Sequence, residues 1–408
     1  MFAKRSRSAG AVGLLRFGAL ARRSLAWLPG LAAMVLAIGL AAPLARAQDT
    51  LKIGVLAPLS GSYEDAGIDI VNGAKLAVEQ INASGGVLGK KLELIPQDDA
   101  CNPDQAAKAA TQLAATGAVA VDGGYCSSAA LPELRVMHDE RIPYVLDASA
   151  FPELTEHGWP NAFRTIGRTD AQGVLAANLL KSALHVKRAA VMNDGTTYAQ
   201  GLARSTVAAL KAEGVEVVYD NAISPGQQDY RDVVRTVSDL KPDVLYYTGY
   251  YTEAAVLARD LRSLNSGIKY FMGNGTADRT LIDKGGPAVE GMIVTTSPLP
   301  QFLNNARARE FIAAYREAYS REPGPYSVYE YDAVGVTAQA IKDAKSAKPD
   351  DIAEALHALK RYKGATGDIA FDRKGDRIKA AFMAVTIRNG RFEPYAWLDP
   401  QGRWTVKR

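Results

Sequence analysis

Ala118-Val119-Ala120-Val121-Asp122-Gly123-Gly124-Tyr125-Cys126-Ser127-Ser128 sets the reading of the chain. A short β-branched run, 118–122, ends in small and polar residues, and a helix-period stretch, 127–140, begins at once. That is a strand feeding a helix through a tight turn. The same alternation recurs on both sides. Upstream, 51–57 leads to 68–84 and 91–97 to 103–116; just downstream, 143–147 closes a first group. Downstream, 188–193 leads to 198–214, 215–221 to 229–241 and 243–248 to 252–263, with further strands at 269–273 and 291–296. Strand–helix alternation at this spacing predicts parallel sheets built from right-handed βαβ units with helices on both faces. About nine such strands divide into two doubly wound, Rossmann-like lobes more readily than into one long sheet. The remainder reads as three helices, at 306–320, 326–346 and 350–360, followed by strands at 367–371 and 380–388 and a hairpin turn at Asn389-Gly390. No Pro/Ser-rich linker separates the halves, so several short crossings are expected rather than one hinge.

Charge and length acquire meaning only after the first 47 residues are set aside. They hold seven bases (Lys4, Arg5, Arg7, Arg16, Arg22, Arg23, Arg46) and no acid, an apolar run at 31–42, and Ala45-Arg46-Ala47. A charged start, a short apolar stretch and a small-residue cleavage site form a secretory signal pattern; a membrane span needs about 20 apolar residues. Arg22-Arg23-Ser24-Leu25 adds a hint of a twin-arginine signal. Removing this segment from 408 residues with 48 Lys+Arg and 44 Asp+Glu leaves 361 residues with a net charge of −3. The apparent basic character, and with it a nucleic-acid partner, disappears. A free, soluble, periplasmic product is expected.

Cys101 and Cys126, the chain's two cysteines, are most simply one disulfide in an exported protein. A metal site or a nucleophilic cysteine are the rival readings, and neither cysteine has a histidine at ligand spacing.

In open α/β sheets, ligands bind beyond the carboxyl ends of the strands. Here those ends are small and polar: 58–61, 123–127, 147–150, 194–198, 249–251 and 273–276. Cys126-Ser127-Ser128 opens a helix with two hydroxyls, suited to an anion or to a plain N-cap. Tyr198, Tyr250 and Tyr251 stand where they could wall a pocket, although tyrosines that follow strands are often merely exposed. Enzyme signatures are lacking. Ser84-Gly85-Gly86-Val87-Leu88-Gly89-Lys90-Lys91 lacks the first Gly and final Ser/Thr of a phosphate loop; there is no G-x-S-x-G and no H-E-x-x-H. His138, His157, His185 and His357 are scattered, so no metal or other cofactor is expected. Asp98-Asp99 reads as an acid pair or, more often, as turn caps. Asn82-Ala83-Ser84 and Asn274-Gly275-Thr276 match a glycosylation pattern.

Several longer motifs in fixed order carry a resemblance. They are Ile81-Asn82-Ala83-Ser84-Gly85-Gly86-Val87, Asp98-Asp99-Ala100-Cys101-Asn102-Pro103, Cys126-Ser127-Ser128, Phe151-Pro152-Glu153-Leu154-Thr155, Tyr198-Ala199-Gln200-Gly201-Leu202-Ala203 and Tyr246-Tyr247-Thr248-Gly249-Tyr250. From Leu51 to about Phe382 the chain resembles the periplasmic Leu/Ile/Val-binding proteins of ABC transporters. The resemblance implies a type I periplasmic binding fold, two α/β lobes joined by three crossings that close around a ligand. It implies lobe 1 over 48–168 plus 297–377 and lobe 2 over 169–296 plus 378–408, with Cys101–Cys126 as the family disulfide. It also implies a ligand carboxylate held at Ser127, contacts at Ala148, Ser149 and Ala150, and cover from Tyr198 and Tyr250. Ala66, Tyr125 and Tyr326 are further pocket candidates. The implied partners are a small carboxylate or amino acid and the permease subunits of the transporter, with the receptor itself a monomer that does not catalyse.

Three positions depart from the family pattern. Ala150 stands for a hydroxyl and Asn274 for an acid, both normally used on the ligand's ammonium, and Ala66 stands for an aromatic residue. Asp147, Ser149 or Asp278 could compensate. A branched-chain or other hydrophobic amino acid is therefore the expected ligand, with a non-amino carboxylate (an aromatic or keto acid) as the alternative. A ligand-sensing receptor domain on the same fold is the other functional class.

Overall fold

A computed structural model describes residues 50–398 and 402–407. The expected signal segment, 1–47, lies outside the described residues.

The chain opens with β1 (Leu51–Ala57), α1 (Glu64–Ala83), β2 (Leu92–Asp98), α2 (Pro103–Ala114), β3 (Ala120–Gly123), α3 (Ser127–Asp139), β4 (Tyr144–Leu146) and β5 (Ala162–Arg164). All pairings among these strands are parallel, in the order β2-β1-β3-β4-β5. After α4 (Thr169–Asn178) come β6 (Arg188–Asn193), α5 (Thr197–Ala212), β7 (Glu216–Ala222), α6 (Arg231–Asp239), β8 (Val244–Tyr247), α7 (Tyr251–Ser263), β9 (Lys269–Met272), α8 (Arg279–Gly285) and β10 (Ile293–Thr296). These five strands pair in parallel as the body of a second sheet.

The rest of the chain serves both sheets. α9 (Ala306–Tyr319), α10 (Ser327–Ala344) and α11 (Pro349–Ala358) follow; α9 and α10 pack on α1, and α10 also covers β3 and β4. A small hairpin, β11 (Tyr362–Gly364) and β12 (Gly367–Ile369), precedes β13 (Met383–Arg388), β14 (Arg391–Leu398) and β15 (Trp404–Val406), which add antiparallel strands beside β10. The chain thus passes between the lobes three times: from β5 to β6, from β10 to α9, and from β12 to β13.

The elements form where apolar periodicity and end signals agree. α2 begins with Asn102, whose side chain accepts from the amides of Asp104 and Gln105, and Pro103 fits its first turn. Asn389 and Gly390, with φ of 51° and 66°, make the two-residue turn that joins β13 to β14. Ser84-Gly85-Gly86 ends α1 rather than starting a helix, and a Cβ on Gly86 would stand 2.0 Å from the Lys90 carbonyl oxygen. The glycines lie at the electronegative end of a helix, the wrong end for a phosphate. Asn82 is occupied in the fold: its side chain donates to the Leu92 carbonyl and accepts from the Leu92 amide.

Four strands and two helices escape the sequence reading. β5, β11 and β15 have three residues each and α8 has seven, too few for a pattern. β14 contains Pro394 beside a register irregularity, where a missing N–H is tolerated. α4 buries Thr169, Gln172, Gly173, Ala176 and Ala177, a small-residue face without the usual large apolar stripe. The strand expected over 367–371 stops at Ile369 and belongs to the small hairpin, not to a main sheet.

Candidate ligand-binding cleft

Three turns from the first sheet reach one seam. The turn after β1 is pinned by Asp98, whose carboxylate accepts from the Leu59 amide (2.8 Å), the Ser60 hydroxyl (2.6 Å) and the Ala100 amide (2.8 Å). Asp99 accepts from the Cys101 amide (2.7 Å), so the acid pair caps turns, as such pairs most often do. The disulfide Cys101–Cys126 ties the β2–α2 turn to the residue before α3. At the start of α3, the Ser127 hydroxyl is buried and accepts from the Phe151 amide at 3.3 Å. The turn after β4 is held by Ser149 N–H donating to the Gly124 carbonyl (2.8 Å) and by Thr169 N–H donating to the Ala150 carbonyl (2.9 Å).

The second sheet contributes the turns after β6, β8 and β9. Asp194 organises two of them, accepting from Thr196 N–H (3.0 Å), the Thr196 hydroxyl (2.7 Å) and Tyr250 N–H (3.0 Å). The Tyr198 hydroxyl accepts from Gly275 N–H at 2.8 Å. A Cβ on Gly249 would stand 2.4 Å from the Asp194 carboxylate, so this packing requires glycine.

Between the two sets lies a continuous group of tyrosines. Ring centroids are 4.8 Å apart for Tyr63 and Tyr250, 5.7 Å for Tyr63 and Tyr251, 5.7 Å for Tyr125 and Tyr250, 5.4 Å for Tyr125 and Tyr326, and 5.2 Å for Tyr198 and Tyr250. The Tyr251 hydroxyl donates across the seam to the Ser62 carbonyl (3.3 Å). Burial pushes the phenols of Tyr125, Tyr198, Tyr250 and Tyr326 far up, so they are neutral hydrogen-bonding groups. These tyrosines are buried, not exposed strand-end residues. Tyr125 keeps a buried hydroxyl without a protein partner among the described residues.

The structure thus brings Tyr125, Tyr198, Tyr250, Tyr326 and Asn274 into one contact chain. Asn274 Oδ1 accepts from the Thr296 hydroxyl (2.8 Å) and Ser297 N–H (3.1 Å), which orients its Nδ2 to donate to the Tyr326 hydroxyl (3.0 Å). That hydroxyl in turn donates to the Asn274 carbonyl (3.2 Å). Ser127, Ala148, Ser149 and Ala150 form a second group within the lobe that contains β4, and Ala66 is buried on the first turns of α1.

Of the three groups expected as candidates to compensate, Asp278 caps α8 through Thr280 N–H and lines a cavity of about 790 Å³ with Asp65, Arg321 and Arg391. Ser149 has a buried hydroxyl without a protein partner among the described residues. Asp147 is wholly buried, and neither carboxylate oxygen finds one. Burial, reinforced by Asp122 and Asp69, holds it well above the ordinary carboxylate range. Glu330, on α10, likewise has both carboxylate oxygens unpartnered among the described residues and is held high by burial, reinforced by Asp147 and Asp122. No group of three or more His, Cys, Asp or Glu among the described residues could hold a metal ion.

Sequence reasoning missed Tyr63, Asp122 and Glu330. Tyr63 was legible in principle, because Ser60-Gly61-Ser62-Tyr63 follows a strand end; placing the helix start at residue 68 hid it. Glu330 and Asp122 read as ordinary helix and strand positions until α10 is laid on the sheet.

Two α/β lobes, three crossings and polar strand-end turns facing each other across a tyrosine seam have the architecture of a two-lobed solute-binding protein. The chain belongs to the periplasmic binding protein family, whose model matches residues 50–391. It is 31% identical over 347 residues to the Leu/Ile/Val-binding protein homolog 1 of Brucella suis biovar 1 (strain 1330), covering 85% of this chain and 93% of that protein. It is 33% identical over 334 residues to the leucine-specific-binding protein of Salmonella typhimurium (strain LT2), covering 80% and 88%. Among solved structures, a leucine-binding protein from Thermotoga maritima superposes with a TM-score of 0.81 at 29% identity, covering 86% of this chain and 99% of the other.

Proposed function

We propose that this protein is an extracytoplasmic receptor that delivers a hydrophobic amino acid, branched-chain or close to it, to an ABC transporter by closing two lobes around it. The observation that carries the reading is the seam itself. Ser127 at the start of α3 and the 148–150 turn lie on one side, and Tyr198 and Tyr250 on the other. A carboxylate suits the hydroxyl and the positive end of a helix, and an apolar side chain suits the tyrosine rings. The relatives named above are described as binding leucine, isoleucine or valine, which supports the same class.

In this reading lobe 1 comprises 48–168 and 297–377, and lobe 2 comprises 169–296 and 378–408. Residues 1–47 are a signal cleaved near Ala47, and the product is a periplasmic monomer that meets permease subunits and releases its ligand unchanged. No helix among the described residues is long and apolar enough to cross a membrane.

Calorimetry with leucine, its keto acid, phenylalanine and benzoate tests the proposal. Saturable binding of at least one carboxylate is expected, and Ser127→Ala should weaken it tenfold or more, the loss of about 1.4 kcal/mol. No binding across the panel would overturn the receptor reading, and unchanged affinity in the variant would overturn the assigned carboxylate site.

Asn274 favours a second reading. Its amide is fixed by Thr296, Ser297 and Tyr326, so it brings no negative charge to a ligand's ammonium. A carboxylate without an ammonium, such as a keto or aromatic acid, fits that neutral corner. Tight leucine binding with no response to the keto acid or benzoate would exclude it.

A further inference from the structure

Arg164, at the end of β5, is fully buried, and its guanidinium has its partners on two different sides. Nη1 donates to the carbonyls of Phe151 (2.7 Å) and Ser149 (3.3 Å), on the turn assigned above to the ligand. Nε donates to Asp376 Oδ1 (2.9 Å), and Nη2 lies 2.8 Å from the same oxygen. Nη2 also donates to the Thr155 hydroxyl (2.6 Å), which itself donates to Asp376.

Asp376 belongs to the stretch that leads from β12 to β13, the third crossing. Its other oxygen pairs with Arg168 (2.7 Å), which precedes α4 on the first crossing. The two crossings also touch through backbone and side chains. Arg164 N–H donates to the Gly375 carbonyl (2.9 Å), and Arg377 donates to the Thr165 carbonyl (3.0 Å). Gly375, with φ of 87°, allows this approach; a Cβ there would stand 1.9 Å from the Ala162 carbonyl oxygen.

A buried ion pair adds little net stability compared with apolar side chains of the same shape, because both charges are taken out of water. What it does provide is fixed geometry: a planar fork with five donors holds several acceptors in one arrangement. Here the acceptors are the ligand turn on one side and the hinge on the other.

We infer that Arg164, anchored by Asp376, is a positioning residue that couples the 149–151 turn to the first and third crossings, so that the turn and the hinge move as one unit. The inference rests on the assignment of that turn to the ligand. Coupling of this kind needs a contiguous network whose two ends respond together.

Amide hydrogen exchange on the ligand-free full chain tests it. Asp376→Asn alters the hinge end and touches none of the turn. Exchange at Ser149, Phe151 and Thr169 N–H is expected to speed up at least tenfold, while Leu245 and Phe271 in the second sheet keep wild-type rates. Thr155→Val, which removes the bridging hydroxyl without removing a charge, is expected to act in the same direction and serves if the first variant does not fold. Acceleration confined to 372–377, no acceleration, or uniform acceleration through both lobes would each overturn the coupling. Because no ligand enters the measurement, failure of the carboxylate panel would remove the ligand assignment and leave the exchange result standing on its own.

Discussion

In the proposed site, Asn274 is the group that would meet the positive end of a ligand. Its side chain is oriented by two donors on Oδ1, leaving an amide and a phenol where the family pattern has an acid. Asn274→Asp would return a carboxylate to that corner and is expected to raise the ratio of leucine to keto-acid affinity at least tenfold by calorimetry. Asp122, Asp147 and Glu330 set a different single-residue property. Asp122 accepts from the Thr337 hydroxyl (2.8 Å); burial pushes it up to about 7, and Asp147 and Glu330 are raised as well. A carboxyl raised in the folded state binds more protons there than in the unfolded chain, whose carboxyls titrate near 4. The contribution of Asp122 is therefore full below about pH 4 and is lost as pH rises toward 7, and those of Asp147 and Glu330 also fall as pH rises. The strongly depressed carboxyl Asp229, at about 2, acts in a lower range. A melting temperature several degrees higher at pH 5 than at pH 8 is expected, and Asp122→Asn should flatten the slope; a melting temperature that rises with pH over this interval would contradict the account.

At the scale of elements, β3 and α3 with their turn are the best-read part of the molecule. Apolar β-branched residues, then glycines, then hydroxyls at a helix start are local signals, and each survives in the fold. The disulfide reinforces that unit, joining residues 25 apart in sequence. Replacing both cysteines by alanine is expected to cost about 3–4 kcal/mol in urea unfolding, by restriction of the unfolded chain. The elements that went unread fail for identifiable reasons: β5 is too short, Pro394 disguises β14, and α4 buries small residues instead of a large apolar stripe. The site divides in the same way. Ser127 and the strand-end tyrosines were legible because the fold class says where strand ends go. The burial of Asp147 against Glu330 and the fork of Arg164 were not, since each joins residues far apart in sequence that only the tertiary fold brings together.

At the scale of the whole molecule, three crossings join two lobes, and the tyrosine seam is where they meet. Where the lobes meet, ring surface is removed from water and the Tyr251 hydroxyl reaches the Ser62 carbonyl. The covering of β3 and β4 by α10 has a consequence for how the protein is made. The strands of the first sheet are complete by residue 164, but the helix that covers one of their faces is supplied by residues 327–344. A nascent chain must therefore carry an uncovered hydrophobic sheet face through the synthesis of more than a hundred intervening residues. Contacts this distant in sequence form slowly, because the intervening chain has to be ordered first. A chain ending at Thr296, with every strand of the first sheet present, is expected to show no cooperative unfolding transition, whereas the full chain does. Late completion keeps the polypeptide open while it is still being translated, an advantage if the proposed signal segment directs the chain through a membrane unfolded.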